Sequence, residues 1–123
     1  MKLVSRLLML SCFLFSCQKQ GPNFKKLEDC DLAEPITELA WLATKIDAYS
    51  SSACLETLHQ YRFREGTVFV LRCGIESFCN CLAPAVWGCE GQELFTLSKA
   101  EGGMSEAAFL AEASDEKLLW KNE

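Results

Sequence analysis

Apolar residues change their spacing several times along this chain. A short cationic start, Met1-Lys2-Leu3-Val4-Ser5-Arg6, leads into the apolar run Leu7–Phe15. That run has the layout of a secretory signal and is too short to span a bilayer as a permanent helix. From Pro35 the period becomes helical. Ile36, Leu39, Ala40, Ala43 and Ile46 fall on one face, with Leu42 beside it. Pro35 suits a first helical turn, where its missing N–H is no loss. Asp31, Glu34 and Glu38 crowd the end where the helix dipole favours negative charge. Ser50-Ser51-Ser52 breaks the pattern, so the helix is predicted to end near Asp47. In this phase Trp41 points away from the apolar face and is a candidate for a partner surface.

Past the serines the period shortens to two. Leu58–Phe63 alternates aromatic and polar residues, Arg64-Glu65-Gly66 supplies a turn, and Thr67–Leu71 is β-branched and aromatic. Two such runs around a short Gly-containing loop predict a β-hairpin. The second run is apolar on both faces, which suits a central strand. A second hairpin is predicted from Ala85–Cys89 and Gln92–Leu97 around Glu90-Gly91. Gly102-Gly103 breaks the chain again. Ser105 is a candidate N-cap for a short helix over Glu106–Glu112. Lys117–Trp120 reads equally as an edge strand or a helix extension.

These elements predict an α+β fold: an antiparallel meander of about four strands, an N-terminal amphipathic helix packed on one face, and a short C-terminal helix. Ile36, Leu39, Ala43 and Ile46 are expected to pack on Tyr61, Phe63, Val68, Val70, Val86 and Phe95.

Composition narrows the setting. The 123 residues are half hydrophobic and carry a net charge of −5. One modest core fits that length, and a multi-domain enzyme does not. Removal of a leader holding Lys2 and Arg6 leaves a mature chain at −7. Such an acidic domain is a poor nucleic-acid binder, because phosphate must be neutralised by Lys and Arg.

The end of the apolar run refines the address. Leu14-Phe15-Ser16-Cys17 resembles a bacterial lipobox, with Leu three residues before the Cys and a small residue just before it. Phe15 departs from the usual smaller residue. Cleavage before Cys17 would leave a sulfur to receive diacylglycerol, and several acyl chains hold a protein firmly at a membrane. No Ala-x-Ala-like site lies between residues 10 and 24. The polar stretch after Cys17 reads as a tether, and Gln18 rather than Asp implies, by resemblance to enterobacterial lipoproteins, the outer membrane. The expected organisation is a signal peptide over 1–16, a lipidated Cys and flexible tether over 17–33, and a single cysteine-rich domain over 34–121.

Cys12 leaves with the signal peptide and Cys17 is assigned to lipid. The candidates for disulfides are then Cys30, Cys54, Cys73, Cys79, Cys81 and Cys89. An even count in a small exported domain reads as a framework of bridges, each stabilising by about 2–4 kcal/mol. Cys30 and Cys54 flank the helix, which favours a Cys30–Cys54 bridge. Cys73 would then pair with Cys79 or Cys81, and Cys89 with the other. A Cys79–Cys81 bridge would close a very small, strained ring.

The competing chemistry is a metal site. Cys73, Cys79, Cys81 and Cys89 place four thiols within seventeen residues, with His59 as a further ligand. The spacing lacks the paired knuckles of structural zinc sites, and an exported address favours oxidation. No metal, cofactor or Cys-x-x-Cys redox motif is therefore expected. His59 is the sole histidine and lies in a strand pattern. Neither a nucleophile elbow nor a phosphate-cradling loop is present, so no enzymatic activity is expected.

The amphipathic helix, the Tyr61-x-Phe63 to Val68-Phe69 hairpin, and Cys89-Glu90-Gly91 followed by Gly102-Gly103 together resemble small lipoproteins of Bacteroidota with a cysteine-containing domain of unknown function. The resemblance spans Cys30 to Trp120. It implies an α+β domain on a lipoprotein and no assigned activity. The expected function is a lipid-anchored envelope protein with a disulfide-stabilised binding or structural module. Its expected partners are the membrane, through the lipid, and another envelope protein. An inhibitor-like domain presenting residues 74–84 as a rigid loop is an alternative.

Overall fold

The computed structural model describes residues 27–51, 54–73, 83–99 and 102–122. The lipobox, Cys79, Cys81 and most of the 74–84 loop lie outside the described residues. The fold is mixed α+β, built on a five-stranded antiparallel sheet. In chain order the elements are α1 (Pro35–Glu38), α2 (Ala40–Tyr49), β1 (Glu56–Phe63), β2 (Gly66–Cys73), β3 (Ala85–Trp87), β4 (Glu93–Thr96), α3 (Glu106–Glu112) and β5 (Ser114–Lys121).

The first four strands form a meander. β5 then returns beside β1, giving the order β4-β3-β2-β1-β5. The expected sheet of about four strands therefore gains a fifth, from the segment whose sequence suited strand and helix alike. β2 lies between β1 and β3, and Gly66–Val70 are all buried.

The β1–β2 turn differs from expectation in its chemistry. Its two turn residues are Arg64 (φ 47°) and Glu65 (φ 66°), both in the left-handed region that glycine and asparagine usually occupy in such hairpins. Gly66 is instead the first residue of β2, paired with Phe63. A Cβ there would lie 2.3 Å from Leu27 Cβ and 2.9 Å from the Glu28 carbonyl oxygen. The glycine lets the N-terminal segment cross the sheet in close contact.

Alternation along β1 divides the core in two. Tyr61 and Phe63 face one side, with Val68, Val70, Val86 and Phe95. They pack on Phe109 of α3 and on Leu27, Leu97 and Met104. The Phe109 ring lies 5.1 Å from both Tyr61 and Phe63, in edge-on and tilted contacts. Leu58 and Phe69 face the other side and cluster with Leu42 of α2.

The expected partnership between the N-terminal helix and Tyr61, Phe63, Val68, Val70, Val86 and Phe95 is therefore corrected. That face belongs to α3, and the α1–α2 segment packs on the opposite one. The helices thus lie on both faces, with the sheet in the middle.

A break at Leu39 explains the altered helix face. Leu39 is extended (φ −109°, ψ 106°), so α1 and α2 are separate and the phase restarts at Ala40. Leu42 is fully buried and Trp41 and Ile46 are half-buried, while Ala40 and Ala43 are exposed. Trp41 is thus no free partner surface. It meets Phe69 at 5.6 Å and Trp87 at 6.4 Å, both edge-on, and its indole N–H donates to the Cys89 carbonyl at 2.8 Å. α3 starts at Ser105, whose Oγ accepts from the Ala108 N–H at 3.2 Å and satisfies one orphan donor of the first turn.

Candidate functional site

The cysteine framework differs from the expected pairing. Cys30 is bonded to Cys89, not to Cys54. Cys54 and Cys73 are also disulfide-bonded. The reason lies in the path of the N-terminal segment, which runs along β2 rather than back to the end of α2. The Thr67 N–H donates to the Glu28 carbonyl at 2.9 Å, and the Cys30 N–H donates to Thr67 Oγ1 at 3.1 Å. Thr67 Oγ1 in turn donates to Asp29 Oδ1 at 3.0 Å. Hydrogen bonds from Thr67 and Arg62 hold the Asp29 carboxyl below its ordinary range. Residues 27–33, assigned from sequence to the tether, are thus docked on the sheet at their N-terminal end. With Cys89 bridged and Cys73 disulfide-bonded, the four-thiolate metal arrangement is not formed. Among the described residues no group of three His, Cys, Asp or Glu side chains is placed to hold a metal.

His59 is not isolated. Its Nε2 lies 2.9 Å from Thr57 Oγ1, and its Nδ1 lies 2.9 Å from Glu116 Oε2. The second contact has the distance of an ion pair without the alignment of a hydrogen bond, so Nδ1 is left buried and unsatisfied. Tyr61 stacks on the imidazole at 6.3 Å and donates its hydroxyl to Glu116 at 3.1 Å. Arg72 donates to the Tyr61 oxygen at 3.2 Å and pairs with Glu106 of α3. Burial lowers the His59 pKa below its ordinary 6.5, and the nearby Arg72 charge adds to this. Glu116 opposes it.

A hydroxyl, an imidazole and a carboxylate in series resemble a nucleophile relay. The arrangement here lacks the aligned imidazole–carboxylate bond, and neither Thr57 nor His59 lines the recess beside Gln60 and Lys117 or the one beside Leu27 and Glu65. The network ties α3 and β5 to β1.

A different place has room for a ligand. A recess of about 330 Å³ lies where β1 meets β5 and the docked N-terminal segment. The β1–β5 ladder is irregular there. Gln60 pairs with Lys117 and Arg62 with Ser114, leaving Asp115 and Glu116 opposite Tyr61. Asp115 has φ 53°, a conformation aspartate tolerates better than most residues.

Gln60 lines this recess. It is only 5% exposed, and its buried Oε1 has no hydrogen-bond partner among the described residues. Arg62, Asp31 and Lys117 complete the polar wall. Arg62 is engaged by Asp29 at 3.3 Å, and Lys117 reaches Asp31 at 3.5 Å. Sequence reasoning missed this site. The one available signal is a glutamine at an inward position of a central strand, and it was hidden by reading Leu58–Phe63 as simple alternation.

No family model, curated protein or solved structure matches this chain.

Proposed function

We propose that the chain is a lipid-anchored cell-envelope protein, held through Cys17, whose disulfide-stabilised domain serves as a binding or structural module without catalytic activity. The observation that carries this reading is the Cys30–Cys89 bridge, with Cys54 and Cys73 likewise oxidised. Such bridges persist in oxidising compartments, in keeping with a signal sequence ahead of Cys17. The bridge lies within the expected tether, at Cys30, and joins that lipid-proximal chain to the sheet covalently. The resemblance to Bacteroidota lipoproteins, carried by Tyr61, Phe63, Val68, Phe69 and the Cys89-Glu90-Gly91 turn, points the same way. Gln18 supports the outer membrane as the destination.

The test is Cys17→Ala expressed in a bacterium with a lipoprotein pathway. The wild-type protein is expected to take up labelled palmitate and to sediment with membranes. The variant is expected to do neither and to stay unprocessed. A variant still cut at the same place and still sedimenting would sink the anchoring reading. The protein as isolated should also show no free thiol.

A further inference from the structure

We propose that the α3 side of the sheet is the surface by which the domain lies on the bilayer that holds its lipid. The proposal rests on the Cys17 anchoring reading and adds to it the orientation of the domain. Three observations carry it.

The first is the composition of α3. A surface helix normally turns polar side chains outward. Here Phe109 is the buried residue, and Ala107, Ala108, Leu110 and Ala111 are all exposed. The two carboxylates of the helix sit at its ends and are paired. Glu106 meets Arg72 of β2, and Glu112 accepts two hydrogen bonds of 3.0 Å from Arg64 of the β1–β2 turn. The outward face between them is apolar.

The second is the place of the large exposed hydrophobics. Among the described residues these are Leu110 (47%) and Leu118 (57%). Leu118 pairs with His59 in the β1–β5 ladder, and paired residues share a face. His59 stacks on Tyr61, which packs on α3. The next two residues, Leu119 and Trp120, pack on the opposite side with Leu42 and Phe69. Both exposed leucines therefore lie on the α3 side of the sheet.

The third is where the anchor joins the domain. Leu27, the first described residue, packs in the same cluster as Phe109. It lies against Gly66, which pairs with Phe63, and the Phe63 ring is 5.1 Å from that of Phe109. The chain leading back to Cys17 thus leaves the domain on the α3 side, beside the helix end that Arg64 holds. Only residues 18–26 separate Cys17 from Leu27. A stretch of that length reaches at most about 35 Å and typically spans about 18 Å when flexible.

The size of the patch selects the occupant. A stable protein interface buries about 800 Å² on each partner, more than one short helix and Leu118 supply. A bilayer reached through a tether needs much less. The anchor raises the effective concentration to about the millimolar range, and the surface has only to sink its apolar side chains into the headgroup–acyl boundary. With Glu106 and Glu112 both paired, the contact strands no lone carboxylate of the helix at that boundary.

The test uses the full mature chain, lipidated at Cys17, oxidised and held in phosphatidylcholine nanodiscs. Alanine and leucine methyls carry ¹³C, and a nitroxide on the lipid headgroup broadens resonances close to the bilayer. The methyls of Ala107, Ala108, Leu110, Ala111 and Leu118 are expected to broaden several-fold more than those of Ala40 and Ala43, which are exposed on the α2 side. Leu110→Gln should lower the ratio of docked to free domain about fivefold with melting unchanged, because the side chain it replaces is exposed. Leu118→Gln should act in the same direction, and Ala43→Gln should change nothing.

Equal broadening on the two sides of the sheet, or stronger broadening at Ala40 and Ala43, would overturn the proposal and leave the anchoring reading intact. Selective broadening that Leu110→Gln leaves unchanged would overturn it too, since the tether alone would then set the orientation. A dimer in detergent that Leu110→Gln abolishes would assign the face to a second copy of the chain instead. A purified chain without lipid would remove the anchoring reading itself, and the proposal with it.

Discussion

Removing the Cys30–Cys89 bridge by the double substitution Cys30→Ala/Cys89→Ala should cost the domain a large part of its stability. The bridge spans 59 residues. In the chain-entropy description, a loop of that length closed in the unfolded state stabilises the fold by about 4 kcal/mol. Cys54 and Cys73, which lie inside this loop, are also disulfide-bonded, and a second cross-link inside a loop shortens its effective length. The dependence is logarithmic, so halving the loop removes only about 0.6 kcal/mol. A loss of about 3–4 kcal/mol is expected, or on the order of 15–30 °C in melting temperature for a domain of this size. Urea titration followed by tryptophan fluorescence is a suitable assay, because the Trp41 indole is bonded to the Cys89 carbonyl and packs on Trp87. Hydrogen exchange adds a local readout. The Thr67 amide, bonded to the Glu28 carbonyl, should lose protection beyond the global change if the bridge fixes the N-terminal segment. A loss below about 1 kcal/mol with Thr67 still protected would refute the reasoning. It would mean that the Leu27 packing and the Thr67 hydrogen bonds hold the segment unaided.

Three further outcomes follow from named positions. Gly66→Ala should cost roughly 1–3 kcal/mol and expose Leu27, because the new Cβ would lie 2.3 Å from Leu27 Cβ and against the Glu28 backbone; a melting temperature within a degree of wild type would contradict the close crossing. Glu65→Gly should stabilise by about 0.5–1 kcal/mol, since the left-handed conformation at φ 66° strains any residue with a Cβ and the gain exceeds the added chain entropy of glycine; denaturant midpoints of the two proteins check it. The His59 pKa is lowered on folding, so the unfolded chain binds more protons in that range. Stability should be full above the unfolded value of 6.5 and fall as pH drops through it toward the folded value. His59→Gln should flatten that part of the stability–pH curve, and equal slopes in variant and wild type between pH 7 and 5 would show that the imidazole is not buried.

The first four strands and the short C-terminal helix were legible because each is local. Alternation along Leu58–Phe63 and the apolar run Val68–Leu71 are period-two signals, and Ser105 carries its cap within its own turn. The face on which the N-terminal helix packs was not legible. It depends on one extended residue, Leu39, which has no sequence signature and shifts the helix phase so that Trp41 and Leu42 turn inward. The disulfide was misassigned for a related reason. Flanking positions in sequence suggested Cys30 with Cys54, but the segment before Pro35 is fixed by Thr67 and by the missing side chain at Gly66. Both are contacts across dozens of residues.

The recess was hidden for a deeper reason. Gln60 occupies an inward position on β1, where an apolar residue of similar length would pack against Leu58 and Phe69 without leaving a polar atom unpaired. Reading by pattern treats such a position as noise. The same irregularity in pairing that puts Asp115 and Glu116 opposite Tyr61 opens the sheet beside Gln60, and the N-terminal segment, held by Cys30–Cys89, supplies the Asp31 wall. The bridge therefore does more than stabilise. It fixes part of the expected tether as one side of the recess, so the stability of the junction and the shape of the recess depend on the same bond.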